Sequence, residues 1–257
     1  MATHHPHPAF ASIQYGAYGA LIGEYRGRGI VRVIGTGLLV AFMLILGVFL
    51  VAAPVYEDSV RRLVLEMSVG IVLIAGAFYF VWMAFRLRGA RAHLFEQGFI
   101  ISLGGQTTSA RWDEITSVTQ KMTRIYHYGI PVGTNYLYTI ALANGETVRV
   151  NNAFVKTAQL GGTIQRMSLL ALLPRAVAVY QSGTTLSFGK ISISQAGVSN
   201  GKETVPWSSI TQFSRQNRAV VIRRKEKRLP WLTTAIASTP NVSVLMALVG
   251  RIQSGAL

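Results

Sequence analysis

RWDEIT at residues 111–116 and PWSSIT at residues 206–211 share the pattern Trp-x-x-Ile-Thr. In each copy a strand-like run precedes the tryptophan, and a helical pattern follows further along the chain. A cut near Arg175 divides residues 92–257 into two halves of similar length, each with one copy of the pattern. The shared order of strands, tryptophan and helix predicts a duplicated domain, with one copy over residues 92–174 and the other over residues 175–257.

Short alternating runs bounded by turn residues predict antiparallel strands in both halves. In the first half, one such run at residues 99–103 ends at Gly104-Gly105, and another at residues 136–142 precedes Asn144-Gly145. Asn-Gly between two alternating runs indicates a hairpin, so residues 147–150 are predicted to return as the partner strand. Four further strand-like runs in the second half span residues 176–180, 185–188, 191–194 and 219–222.

Each half ends in a pattern with helical spacing. Residues 157–173 place apolar side chains three or four positions apart, and Pro174 is predicted to end that helix. Near the end of the chain, Thr239 is a suitable N-cap and Pro240 a suitable first helical residue. An apolar stripe that begins at Val242 predicts the second terminal helix.

The first half resembles a bacterial pleckstrin-homology-like domain. The resemblance rests on Phe95 and Gly98, the turn at Gly104-Gly105, and the sequence from Arg111 to Ile115. The second half keeps Gly197, Trp207 and Ile210 but has no counterpart of residues 121–138. Over residues 30–255 the chain is similar to uncharacterised bacterial membrane proteins that carry such domains behind two helices. The resemblance implies a seven-stranded antiparallel barrel capped by a C-terminal helix in each half.

Two uncharged segments precede the repeat. One covers residues 33–56 and the other residues 67–85, and each is about as long as the 20 apolar residues that cross a bilayer. Together they predict a two-helix transmembrane hairpin over residues 32–88, with helices at 33–56 and 65–85. Residues 1–31 are expected to form a flexible tail, and the whole fold a membrane hairpin followed by two tandem α+β domains.

The arginines near the two segments predict the orientation. Three precede the first segment, two lie between the segments and three follow the second: Arg26, Arg28, Arg32, Arg61, Arg62, Arg86, Arg88 and Arg91. This tally favours a multi-pass protein of the cell membrane with both termini in the cytoplasm. A cleaved signal peptide fits less well, because 32 residues precede a run longer than a signal h-region. A soluble core helix fits less well because the second segment is uncharged over its whole length.

Composition and spacing reveal no catalytic set. The chain has no cysteine, which excludes disulfides and thiolate chemistry. Histidines beyond the N-terminal tail are confined to His93 and His127, which have no catalytic or metal-ligand spacing. Asp113 and Glu114 are adjacent, as expected at a solvated strand end. We therefore expect a protein that is not an enzyme and has no cofactor and no metal site.

Charge is the feature that points to a function. Residues 92–257 carry 17 Lys/Arg against 6 Asp/Glu, a net charge of +11. The densest cationic group, with a tryptophan beside it, forms the candidate lipid-binding site: Arg218, Arg223, Arg224, Lys225, Lys227, Arg228 and Trp231. Polybasic segments gain about 1 kcal/mol per Lys/Arg at an anionic lipid surface. A solvated turn is the open alternative. Nucleic acid is not expected as a partner, because no RNA-binding aromatic motif is present.

These observations favour a non-enzymatic, membrane-anchored cytoplasmic binding or scaffolding module. Its expected partners are membrane lipids with anionic headgroups, or a protein. The alternative is a structural or regulatory subunit of a larger membrane complex that uses the two apolar helices as its interface.

Overall fold

A computed structural model describes residues 17–27, 29–52, 60–86, 90–225 and 227–256. In this part of the chain, fourteen strands, four α-helices and three short 3₁₀ turns follow one another. The elements are β1 Leu21–Arg26, α1 Gly29–Ala52, α2 Val60–Arg86, β2 Arg91–Phe95, β3 Gly98–Leu103, β4 Gln106–Arg111, β5 Ile115–His127, β6 Ile130–Leu142, β7 Thr147–Asn151, α3 Thr157–Gln181, β8 Leu186–Phe188, β9 Ile191–Ser194, β10 Gly197–Ser199, β11 Thr204–Val205, β12 Ile210–Gln216, β13 Ala219–Arg224, β14 Leu232–Ala235 and α4 Val242–Ser254.

Both halves are built from two antiparallel sheets and a helix. In the first half the strand orders are β1-β2-β3-β4 and β5-β6-β7, and α3 follows. In the second half they are β11-β10-β9-β8 and β12-β13-β14, and α4 follows. Each pair of sheets is joined by a 3₁₀ turn that begins at the tryptophan, Trp112 or Trp207.

The predicted tandem barrels are wrong, because the described strands form four separate sheets and none closes. A barrel requires hydrogen bonds between its first and last strands. In each half the chain instead leaves one sheet through the 3₁₀ turn and begins the next, so both sheets keep their edges.

The predicted membrane-spanning hairpin is also wrong. The described residues of both apolar segments are helical, but no helix in the described part of the chain has the length and sustained apolarity that a bilayer crossing needs. The helices do not coincide with the apolar runs: α1, Gly29–Ala52, includes Arg32, and α2, Val60–Arg86, includes Arg61 and Glu66. A multi-pass location in the cell membrane with cytoplasmic termini is contradicted by the same finding.

Strand β1 connects the region before the helices to the first sheet. Its residues pair with β2 in antiparallel register, from Leu21 opposite Phe95 to Arg26 opposite Arg91. The sequence places these residues in a flexible tail, and no alternation of residue types distinguishes them. The helix pair α1–α2 is therefore inserted between two neighbouring strands of one sheet. Residues 1–16 of the predicted tail lie outside the described residues.

Two hydrophobic cores fill the halves, and α3 contributes to both. Its first part buries Leu160 and Ile164 in the first core, and its last part buries Ala176 in the second. The helix continues through Pro174, where the sequence predicts its end, and includes residues 176–180, so the strand predicted there is wrong. A proline inside a helix costs about 3 kcal/mol. Packing of the residues around and after Pro174 against the second core offsets that cost.

The halves meet along the free edge of β5. Asn241 donates its backbone N–H to the carbonyl of Val118 at 2.9 Å and accepts the N–H of Val118 at 2.8 Å. Its amide also donates to the carbonyl of Thr116 at 2.9 Å. Beside this contact, Arg215 donates to the buried Gln120 amide oxygen at 3.1 Å. These bonds cover an edge strand that would otherwise present unpaired backbone groups.

Candidate anion-binding site

Most of the predicted basic site lies at one end of the sheet β12-β13-β14. Strand β13 ends with Arg223 and Arg224, and the connection to β14 contains Lys225, Lys227 and Arg228. Valine and isoleucine at residues 220–222 are buried in the core. The strand continues through the half-buried Arg223 and Arg224, and the cationic residues beyond it are exposed.

Arg218 is separated from this group. It precedes β13, at the opposite end of the strand, which spans roughly 17 Å at 3.3 Å per residue. Its guanidinium approaches the carbonyl of Met122, in the first half, at 3.4 Å. The structure thus brings together six of the seven predicted site residues and places the seventh at the boundary between the halves.

Three hydrogen bonds hold the basic connection in place. The Arg223 guanidinium donates to the carbonyl of Arg228 at 2.9 Å and closes the loop on itself. The backbone N–H of Trp231 donates to the carbonyl of Ile222 at 2.8 Å. At the other side, the N–H of Lys225 donates to the carbonyl of Ser209 at 2.8 Å.

Glu203 organises the side chains of this site. Its carboxylate accepts a hydrogen bond from the Trp231 indole N–H and lies 3.5 Å from the Arg224 guanidinium. The hydrogen bond from Trp231, together with the positive charges of Arg224 and Lys227, lowers the pKa of Glu203 below its ordinary value. Trp231 packs its ring against the second core and turns its polar edge to Glu203.

A cleft of about 390 Å³ opens beside these residues. We refer to it as the basic cleft, and its lining consists of Glu203, Thr204, Val205, Pro206, Ser209, Arg224, Lys225 and Lys227. Among the described lining residues, three are cationic and Glu203 is acidic, and Lys225 and Lys227 are exposed. The Ser209 hydroxyl adds a neutral donor. Such a cleft can hold a phosphate-sized anion through charge-assisted hydrogen bonds.

Sequence reasoning does not identify Glu203 as part of this site. It lies 28 positions before Trp231, in the turn between β10 and β11, and belongs to no local pattern. The contact forms because two separate sheets of the second half meet at this corner.

The two repeated tryptophans occupy the same structural position in their halves. Trp112 donates its indole N–H to the carbonyl of Phe95, the last residue of β2, at 2.9 Å. Trp207 donates to the carbonyl of Ser194, the last residue of β9, at 3.0 Å. Each bond ties the junction between the sheets to the first sheet, so these residues belong to the scaffold and not to a binding surface.

The described residues contain no group of three or more acidic, histidine or cysteine side chains that could hold a metal ion. His93 lies in β2 with its ring 3.9 Å from the Glu24 carboxylate. Burial lowers the pKa of His93, and the nearby Glu24 charge opposes that shift. His127 is exposed far along β5. The structure therefore does not bring the two histidines together.

Comparison with known proteins gives a family without an assigned activity. Residues 9–256 match the profile of a family described as DUF6585, a family of unknown function. No curated protein matches the chain.

Proposed function

The chain belongs to DUF6585, a family of unknown function, and we propose that it is a non-enzymatic binding module that contacts anionic lipid headgroups through its basic cleft. The observation that carries this proposal is the convergence of Arg224, Lys225 and Lys227 on one cleft with a hydroxyl donor. A net charge of +15 adds long-range attraction to any anionic surface.

The cleft suits a headgroup better than it suits a flat protein surface. Its volume of about 390 Å³ is in the range of small-ligand pockets, and three cationic residues line it. Glu203 supplies an acceptor beside them, which fits a phosphate group that also carries hydroxyls or an amine. Arg228 and Leu229 next to the cleft are exposed and extend the contact surface.

The test is binding of the full chain to vesicles. A fragment that starts at residue 92 is unsuitable, because it lacks β1 and leaves the edge of β2 unpaired. We expect binding to anionic vesicles, none to zwitterionic vesicles, and weakening as salt rises, since the Debye length falls from about 10 Å at 0.1 M to about 3 Å at 1 M. Inorganic phosphate at matched ionic strength should compete, because the cleft holds the phosphate group itself.

A matched pair of variants separates the cleft from net charge. Lys225→Gln, Lys227→Gln and Arg228→Gln together remove three charges at the site and leave the contacts of Arg223 and Arg224 intact. The control removes three exposed charges elsewhere: Lys156→Gln, Lys190→Gln and Arg251→Gln. Loss of vesicle binding in the first variant alone supports the proposal. Equal loss in both, or no binding by the parent chain at low salt, contradicts it.

A second candidate function rests on the helix pair α1–α2. Among the described side chains of these helices, many large apolar residues are exposed, including Phe42, Ile45 and Phe78 at 63–71%. Apolar patches larger than a few hundred Å² mark interaction sites. The chain would then be a structural or regulatory subunit that binds a protein partner through this surface.

An exposed hairpin extends from the first half, and the loop that contacts it also contacts the residues just before α1. β5 and β6 continue beyond β7 as a two-stranded ribbon, residues 122–135, whose tip exposes Tyr128 and Ile130. Asn152 bonds to the ribbon at the carbonyl of Thr134, at 3.0 Å. Three residues further on, the N–H of Val155 donates to the carbonyl of Arg26 just before α1. One loop therefore contacts both the ribbon and the residues just before α1.

Charged substitutions at exposed apolar positions of α1 test this second candidate function and separate it from headgroup binding. Phe42→Glu with Ile45→Glu should release a stoichiometric partner that co-purifies with the parent chain, whereas the triple variant of the basic cleft should retain it. If both variants retain the same partner, or the parent chain is isolated alone, the helix pair is not a protein interface.

A further inference from the structure

A second pocket lies at the boundary between the two halves, which we call the seam pocket. It has a volume of about 240 Å³ and mostly apolar walls. Its lining consists of Gln120, Lys121, Met122, Arg218, Ala235, Ile236 and Ala237. None of these residues lines the basic cleft. Of the seven, the sequence analysis singles out only Arg218, as part of the candidate lipid-binding site.

The free edge of β5 directs polar backbone groups into this pocket. The N–H and C=O of Val118 both bond Asn241, so they point away from β6. In an antiparallel pair this orientation repeats at every second residue, and the register is regular from Ser117 to Ile125. The backbone N–H groups of Gln120 and Met122 therefore also point toward the second half.

Arg218 provides a positive charge at the same place. Its backbone carbonyl accepts the N–H of Ile236 at 2.9 Å, which fixes the turn before β13 against the wall of the pocket. Its guanidinium lies 3.4 Å from the carbonyl of Met122, across the boundary between the halves. Arg218, Gln120 and Lys121 thus supply the polar part of the lining, and Met122, Ile236 and the two neighbouring alanines supply the apolar part.

We propose that the seam pocket binds a small amphipathic anion, a carboxylate on a short apolar body. The carboxylate accepts hydrogen bonds from the Arg218 guanidinium and the Gln120 backbone N–H, and the apolar body packs on Ile236, Ala235 and Ala237. One water occupies about 30 Å³ of liquid, so 240 Å³ accommodates on the order of eight non-hydrogen atoms. Hexanoate has that size and chemistry.

Binding at this place couples the halves. Gln120 belongs to the first half, and Arg218 and Ile236 belong to the second. A ligand that touches both stabilises their arrangement without any change in the basic cleft. The inference therefore stands independently of headgroup binding.

The test measures hexanoate binding to the full chain at neutral pH by calorimetry or ligand-observed NMR, with hexanol as the neutral analogue. We expect hexanoate to bind more tightly than hexanol. Arg218→Gln should weaken hexanoate at least about tenfold, as expected for the loss of one charge-assisted hydrogen bond, and leave hexanol unchanged. Arg251→Gln, on the outside of α4, removes the same charge and should change neither.

A second variant checks the location. Ala237→Phe places a ring in the cavity and should abolish binding of both ligands, with circular dichroism verifying that the variant folds. The proposal is overturned if hexanoate does not bind at millimolar concentration, if hexanoate and hexanol bind equally, or if the effects of Arg218→Gln and Arg251→Gln are the same. Unchanged hexanoate binding by a folded Ala237→Phe chain also overturns it.

Discussion

The two halves share one order of elements but differ in what extends from them. Each has a four-stranded sheet, a 3₁₀ turn at a tryptophan, a three-stranded sheet and a helix. In the first half, strands β5 and β6 have 13 residues each, whereas β12 and β13 have 7 and 6. The first half also contains the inserted helix pair. The two halves thus share one arrangement of sheets, turn and helix, and the first half carries the additional surfaces.

Equivalent positions in the two halves contact each other. Gln120 and Arg215 each lie eight residues after the tryptophan of their own half, and they form a hydrogen bond of 3.1 Å. Gln120 also accepts from Gln165 at 3.3 Å and donates to the Tyr138 hydroxyl at 3.1 Å. At this matching position the two halves therefore carry complementary side chains, an amide and a guanidinium.

Removal of the tryptophans gives the largest expected difference between the halves. Trp112 is buried against Phe99, whereas Trp207 is only half-buried. Trp112→Ala should lower the free energy of unfolding by about 3–5 kcal/mol, the usual cost of truncating a buried tryptophan. Trp207→Ala should lower it by about 1–3 kcal/mol, because a half-buried ring removes less surface from water. Urea denaturation followed by circular dichroism measures both, and equal losses would show that the two positions are energetically equivalent.

The glycine pair in α3 tests how the first half packs its helix. A Cβ at Gly161 would overlap the ring of Tyr138, whereas Gly162 faces open space. Gly161→Ala should therefore destabilise the protein by about 1–3 kcal/mol through overpacking. Gly162→Ala should stabilise it by about 0.5–1 kcal/mol, since alanine is the better helix former. Thermal unfolding of the two variants should shift in opposite directions; a shared direction would mean that α3 does not approach Tyr138 closely.

Between pH 7 and pH 5, where histidine and not carboxylate groups titrate, acid sensitivity should come from the first half, because no histidine follows residue 127. Burial lowers the pKa of His93 in the folded state, so the unfolded chain binds a proton more readily. The stabilising contribution is fully present above the unfolded pKa near 6.5 and decreases as pH falls toward the lower folded value. We expect a modest fall in Tm from pH 7 to pH 5 that His93→Gln reduces. An identical pH profile in that variant would assign the sensitivity to other groups.

Much of the repeat was predictable from the sequence because its signals are local. The turn residues after β3 and between β6 and β7, the alternation within the strands and the apolar stripe of α4 follow from backbone geometry and periodicity. The basic residues at 223–228 were identified by composition, and the structure places them at the end of β13 and in the connection to β14. The prediction of PH-like domains stays a resemblance, whereas the closed barrels and membrane-spanning helices that accompanied it are wrong.

The sequence by itself determined several strands and turns of the repeat and the presence of the two terminal helices, because those choices depend on neighbours within a few residues. It did not determine that residues 176–180 are helical or that the last helix begins at Val242. Only the tertiary structure decided which distant groups meet. Strand β1 pairs with β2 across the inserted helix pair, α3 continues past Pro174 because the second core covers it, and Glu203 reaches Trp231 and Arg224 at the basic cleft. Packing between separate sheets determines these contacts, and no short-range pattern records that packing.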